Sequence, residues 1–213
     1  MIEAVYDNIK KAIFAGNIPE IPTLVRQALS DKASPEDILN KGLIAGMAVV
    51  GEKFKANEIY VPEVLISAKA MHAGLDVLKP FLEKAGVASK GNIVIGTVKG
   101  DLHDIGKNLV SMMFKGAGFS VTDLGIDVPP EKFIDEAVRS KAQVMAMSSL
   151  LTTSMPSMKA TMDLLKKRGL VGKIKTIIGG APVTQKYADE IQADGYADNA
   201  SSAVDKAKEL LGL

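Results

Sequence analysis

Within the stretch GTVKGDLHDIGKNL, Gly96 to Leu109, a carboxylate, an imidazole and a glycine crowd the exit of an apolar run: Asp101, His103, Asp104 and Gly106. A carboxylate beside a histidine can fix the tautomer and basicity of a metal-ligating imidazole, with a hydroxyl behind the carboxylate. His103 is one of only two histidines in 213 residues, the other being His72. Two are too few for a multi-histidine zinc site. The absence of cysteine excludes disulfides, thiolate metal sites and thiol nucleophiles. One histidine cannot hold a free metal ion, but it can be the single axial ligand of a metal already caged in a macrocycle. Neither GxGxxG nor GxxxxGK followed by Ser or Thr occurs, so phosphate cradling does not explain the glycines.

The elements that must position these residues fall into two regions. Residues 1–86 read as helices throughout, at Ile2–Ala15, Pro19–Asp31, Pro35–Lys55 and Pro62–Ala85. Ser34-Pro35-Glu36-Asp37 is a helix start, with an N-cap hydroxyl, a first-turn proline and acids near the positive dipole end. Pro80 is expected to kink the fourth helix rather than end it, because Phe81 and Leu82 continue the apolar face. Residues 87–91, within GVASKGN, read as a linker. From Asn92 onward, apolar strands at Ile93–Val98, Ser120–Leu124, Gln143–Ser148, Lys175–Ile178 and Gly195–Ala197 alternate with helices near Gly106–Lys115, Pro130–Ser140, Met155–Arg168, Thr184–Ile191 and Ser201–Leu211.

Continuous apolar strands in βα units imply a parallel sheet covered on both faces. The expected architecture is an N-terminal all-α four-helix bundle followed by a C-terminal α/β domain over 92–213. That domain is Rossmann-like, of the flavodoxin-like kind, with a five-stranded parallel sheet. In the common order 2-1-3-4-5 the ligand crevice opens beyond the carboxyl ends of strands 1 and 3. Gly100–Gly106 follows strand 1, Ser148–Ser154 strand 3, Gly179–Pro182 strand 4 and Asp198–Ser201 strand 5. Asp104 and Lys107 read as solvated helix-start residues, His72 as structural, and the ten methionines as core filler.

Bulk properties exclude several partners. A composition of 47% hydrophobic and 24% charged residues is that of a soluble globular chain. The net charge of +1, with Lys and Arg dispersed, leaves no footprint for nucleic acid or anionic lipid. The longest apolar stretch, Leu43–Val50, is too short to span a bilayer. The N-terminus lacks a basic start and a long apolar core, so a cytoplasmic location is the default.

Asp101-x-His103-x-x-Gly106, forty-one residues, Ser148-x-Leu150, twenty-eight residues and Gly179-Gly180 together resemble the cobalamin-binding signature of corrinoid proteins. The segment GEKFKANEIYVPEVLISAKAM resembles the cap bundle that precedes this domain in methionine synthase and in small methyltransferase corrinoid proteins. The resemblance covers essentially the whole chain. It implies cobalamin or a related cobamide bound base-off/His-on, with His103 ligating cobalt, Asp101 as its hydrogen-bond partner and Ser154 as the hydroxyl behind. Gly100, Leu102 and Asp104 belong to the same cofactor-binding loop. Gly106 stands where a side chain would block the nucleotide tail, and Ser148, Leu150 and Thr152 match positions lining its slot. Gly179 and Gly180 would let backbone approach the tail, and Ala200 matches a contact after the last strand. Phe54 and Val61 match apolar residues over the corrin's upper face, the second being leucine in methionine synthase. A bundle in that position would have to swing aside for transfer, with 86–92 as the hinge.

Three classes use this module: subunits of adenosylcobalamin mutases, cobalamin-dependent regulators, and free-standing methyl carriers. A mutase subunit would carry no cap bundle, and a regulator would need a basic DNA-binding segment ahead of it. The resemblance therefore implies a methyl carrier, the corrinoid subunit of a multi-component methyltransferase rather than a complete enzyme. Its cobalt would cycle between Co(I) and methyl-Co(III). The implied partners are a substrate-specific methyltransferase, a second methyltransferase delivering to coenzyme M or tetrahydrofolate, and a reductive activase.

Overall fold

A computed structural model describes residues 2–213, which divide into two compact units. One runs to Ser89 and includes Gly116–Gly118; the other comprises Lys90–Lys115 and Phe119–Leu213.

The first unit is helical: α1 (Ile2–Phe14), α2 (Ile21–Ser30), α3 (Pro35–Asp37), a π-helical segment (Ile38–Ile44), α4 (Ala45–Lys55) and α5 (Val61–Ala85). Apolar residues spaced at helical period give each long helix one buried stripe, including Ile9 and Ile13 of α1, Leu24 and Val25 of α2, and Val64, Met71 and Leu78 of α5. Glycines set how closely these stripes meet. A Cβ on Gly42 would lie 3.1 Å from Ile9 Cγ2, and one on Gly46 would lie 3.0 Å from Ile13 Cβ. As expected, the Ser34 hydroxyl caps α3 by accepting the Asp37 N–H at 3.0 Å. The helix expected over Pro35–Lys55 is one continuous run, but seven of its residues are π-helical. A reading at 3.6 residues per turn has no means of registering that wider turn. α5 continues through Pro80 and stops at Gly86, whose φ of +66° admits the left-handed C-cap.

The second unit alternates β1 (Asn92–Thr97), α6 (Ile105–Gly116), β2 (Ser120–Asp123), α7 (Pro130–Arg139), β3 (Val144–Ser148), α8 (Met155–Lys167), β4 (Lys175–Gly179), α9 (Gln185–Glu190), β5 (Gly195–Ala197) and α10 (Ala200–Leu211). All pairings are parallel, in the order β2-β1-β3-β4-β5. The central strands are buried on both faces, as their unbroken apolar runs require. Met145 and Met147 of β3 sit in the core with Val94, Phe133, Ile134 and Ile178. Register aligns the strand ends. Thr97 pairs with Ser148, Ser148 with Gly179 and Gly179 with Ala197, so four loops leave the sheet from one row. Because β1 lies between β2 and β3, its carboxyl end is the point where the winding of the sheet reverses.

Candidate functional site

The loop after β1 is held from three sides. Gly100 turns the chain at φ +85°, and its N–H donates to Asp127 Oδ1 at 2.7 Å. Asp127, itself at φ +51°, returns its own N–H to the Asp101 carbonyl at 3.1 Å. Ser157 on α8 donates to the Lys99 carbonyl at 3.0 Å, and Thr97 donates to the His103 carbonyl at 2.8 Å.

At the centre is the Asp101 carboxylate, 1% exposed. Its Oδ1 accepts the His103 backbone N–H at 3.0 Å and faces His103 Nδ1 at 2.7 Å. Its Oδ2 accepts the N–H groups of Leu150 at 2.6 Å and Leu151 at 3.3 Å, together with the Ser154 hydroxyl at 3.0 Å. Burial alone would push this carboxyl up. The bonds from the His103 and Leu150 N–H groups, the His103 ring and Ser154 outweigh it and hold the pKa at about 2, against an ordinary 3.8.

That shift makes a pH prediction. A carboxyl depressed on folding adds stability that is fully present above about pH 4 and is lost as pH falls toward 2. The loss attributable to Asp101 is about 2 kcal/mol over that window. Urea unfolding of the wild type should show this slope, and Asp101→Asn should lack it. Parallel curves for the two proteins between pH 4 and 2 would refute the assignment.

The carboxylate also dictates what the imidazole can do. Neutral imidazole facing a carboxylate through Nδ1 carries its proton there, which leaves the Nε2 lone pair free on a side chain 52% exposed. Leu102 and Ile105 are 69% and 77% exposed, and Ile126, Leu150 and Leu151 are exposed as well. Leu102, Ile126, Leu150 and Leu151 lie on the three loops that bond to Asp101, and Ile105 opens α6, so these segments carry exposed apolar side chains. Among the described residues no group of three or more His, Cys, Asp and Glu could hold a metal ion. A single open imidazole nitrogen would suit a metal whose other ligands arrive with it.

The other expected site residues differ in their surroundings. Gly106 is the second residue of α6 and exposed, and a Cβ there would meet nothing within 4 Å. Asp104 is exposed and accepts from Asn108 Nδ2 at 3.0 Å. Ser148 ends β3, Leu150 and Thr152 are exposed on the loop beyond it, and Ala200 opens α10. Phe54 and Val61 lie in the helical unit, partly buried at the end of α4 and the start of α5. Gly179 and Gly180 need no ligand to explain them. A Cβ on Gly179 would sit 2.7 Å from the Ala197 carbonyl oxygen, and one on Gly180 only 1.8 Å from that of Ser149.

Lys107 requires a correction. It is not solvated but 4% exposed, with Nζ donating to both Asp123 oxygens at 2.6 and 2.7 Å and to Asn108 Oδ1 at 2.6 Å. All three ammonium hydrogens are used, and the first turn of α6 is thereby tied to the end of β2. Asp127 and Ser149 were also not singled out from sequence. Ser149 is fully buried, with Oγ 2.7 Å from Ser154 Oγ. An Asp after a Leu-Gly-Ile turn was a legible clue to Asp127; within the Ser/Thr run 148–154 nothing marked Ser149.

Comparison with known proteins reflects the same division. Residues 91–205 match one family model described as a B12 binding domain, and residues 5–79 match a second of the same description. A corrinoid protein of Desulfitobacterium hafniense (strain Y51) is 41% identical over 215 residues, covering 100% of both chains. The dimethylamine corrinoid protein of Methanosarcina barkeri is 43% identical over 210 residues, covering 98% of both. In the crystal structure of the methanol:cobalamin methyltransferase complex MtaBC from Methanosarcina barkeri, one chain superposes with a TM-score of 0.87 at 31% identity. That match covers 98% of this chain and 80% of that one.

Proposed function

This chain belongs to the corrinoid proteins built on B12 binding domains, and from that premise we propose that it carries a methyl group between two partner methyltransferases. The bound cobamide supplies a cobalt atom able to take up and give up a methyl group. The protein's part is to ligate, orient and shield.

His103 would hold cobalt through Nε2 in place of the cofactor's own lower base. The observation that carries this reading is the bonded series His103–Asp101–Ser154, which leaves Nε2 as the open donor on a half-exposed side chain. Asp101 keeps the proton on Nδ1, so the imidazole meets the metal neutral and correctly turned. Gly106, Leu150, Thr152 and Ser148 would line the path of the nucleotide tail, beside Gly179, Gly180 and Ala200. Gly100, Leu102 and Asp104 complete the loop, and Phe54 and Val61 are assigned to the cofactor on the resemblance alone. The helical unit is read as a four-helix cap bundle.

The relatives' names, dimethylamine corrinoid protein among them, support a methylated small molecule as donor, acted on by a substrate-specific methyltransferase. A second methyltransferase would deliver to coenzyme M or tetrahydrofolate, and a reductive activase would restore oxidised cofactor. No helix among the described residues is long and apolar enough to cross a membrane, and we place the carrier in the cytoplasm.

The test is to load the protein with hydroxocobalamin, reduce it to Co(II) and record EPR spectra of natural-abundance and 15N-histidine protein. Three-line nitrogen splitting should become two-line with the label, vanish in His103→Ala and persist in His72→Ala. Splitting indifferent to the label overturns His103 ligation, and failure to retain cobamide overturns the carrier reading.

A further inference from the structure

The series of hydrogen bonds does not stop at Ser154. Ser149 is 0% exposed, and its Oγ lies 2.7 Å from Ser154 Oγ and 3.0 Å from the Leu151 carbonyl oxygen. Ser154 Oγ has that carbonyl at 2.9 Å and Asp101 Oδ2 at 3.0 Å. Two hydroxyl hydrogens thus have several acceptors. The Leu151 carbonyl already takes the Ser154 N–H at 3.2 Å, whereas Asp101 Oδ2 is charged and the stronger acceptor. The favoured arrangement has Ser154 donating to Asp101 and Ser149 donating to Ser154, across the shortest of these contacts. The backbone that carries Ser149 is itself fixed. Its N–H donates to the Gly179 carbonyl at 3.1 Å, and its own carbonyl lies against Gly180.

We propose that Ser149 is a positioning residue that, by donating to Ser154, sets how strongly Asp101 draws on the Nδ1–H of His103. The inference rests on the reading of His103 as the axial ligand. A hydroxyl that receives a hydrogen bond donates a stronger one. Ser149 therefore strengthens the bond from Ser154 to Oδ2, which draws charge away from Oδ1 and relaxes its hold on Nδ1–H. Nε2 then becomes a slightly weaker electron donor. Ser149 tempers the axial ligand, and loss of its hydroxyl sharpens it.

The apo protein provides the first test, because its two histidines give a simple spectrum. With 15N-histidine at slightly alkaline pH, Ser149→Ala should move the His103 Nδ1–H resonance downfield and leave His72 in place. Ser154→Ala should move it further in the same direction, and the double variant should match Ser154→Ala. No shift, an upfield shift, or an equal added shift in the Ser154→Ala background overturns the proposal. In loaded protein, Ser149→Ala should tighten histidine ligation to Co(II) by about twofold to fivefold and lower the Co(II)/Co(I) potential. An unchanged or raised potential overturns it as well. Failure of the wild type to bind cobamide would overturn the carrier reading alone, since the apo measurement does not depend on it.

Discussion

Replacing Gly106 with leucine should abolish cobamide retention while leaving the fold untouched. The two effects separate because a Cβ at this position meets nothing of the protein within 4 Å. The Cβ itself meets no clash on this exposed turn, and leucine in the first turn of α6 is a better helix former than glycine by up to about 1 kcal/mol. The melting temperature should therefore hold or rise. If the space beside Gly106 is where the nucleotide tail passes, a four-carbon side chain fills it, and affinity should fall by about a hundredfold or more. Circular dichroism and cofactor retention after gel filtration measure the two outcomes on one sample. Normal retention would place the tail elsewhere; a collapsed melting temperature would contradict the open geometry.

Gly180→Ala should do the opposite. Its Cβ would lie 1.8 Å from the Ser149 carbonyl oxygen, and its φ of +130° disfavours any side chain. Strain of that backbone conformation and a backbone-to-backbone clash together should cost about 3–5 kcal/mol. For a chain of this length that is a loss of about 10 °C in melting temperature. The loss should appear equally with and without cobamide, because the collision is internal. A variant that melts like the wild type and fails only in cofactor binding would return Gly180 to the ligand.

Sequence alone does not tell these glycines apart. Both stand in signature positions, and only coordinates show that one faces empty space and the other a carbonyl. The strands were legible to within a residue or two, since unbroken apolar runs such as Ile93–Val98 admit few alternatives. Asp101 and His103 were legible because their pairing is local. The unread residues depend on distant partners. Lys107 looks solvated until Asp123 is brought to it by the pairing of β2 with β1. Ser149 resembles its neighbours on paper, and only the end of β3 decides that its hydroxyl points inward to Ser154 while Thr152 and Thr153 remain exposed. The π-helical segment has no sequence signal that we can identify.

Asp101 draws its partners from far along the chain: the Leu150 and Ser154 bonds span 49 and 53 residues. On the ribosome, where synthesis is vectorial, this carboxylate emerges long before the groups that satisfy it. Contacts of such separation form late because the intervening loop must first be closed. Until then the nascent chain presents the acid with no donor on Oδ2, and Leu102 and Ile105 without the loop that will flank them. Gly180, against which the Ser149 carbonyl comes to rest, is made later still. A chain truncated before Val144 would have β1 and β2 but none of the donors that Asp101 Oδ2 meets in the finished protein.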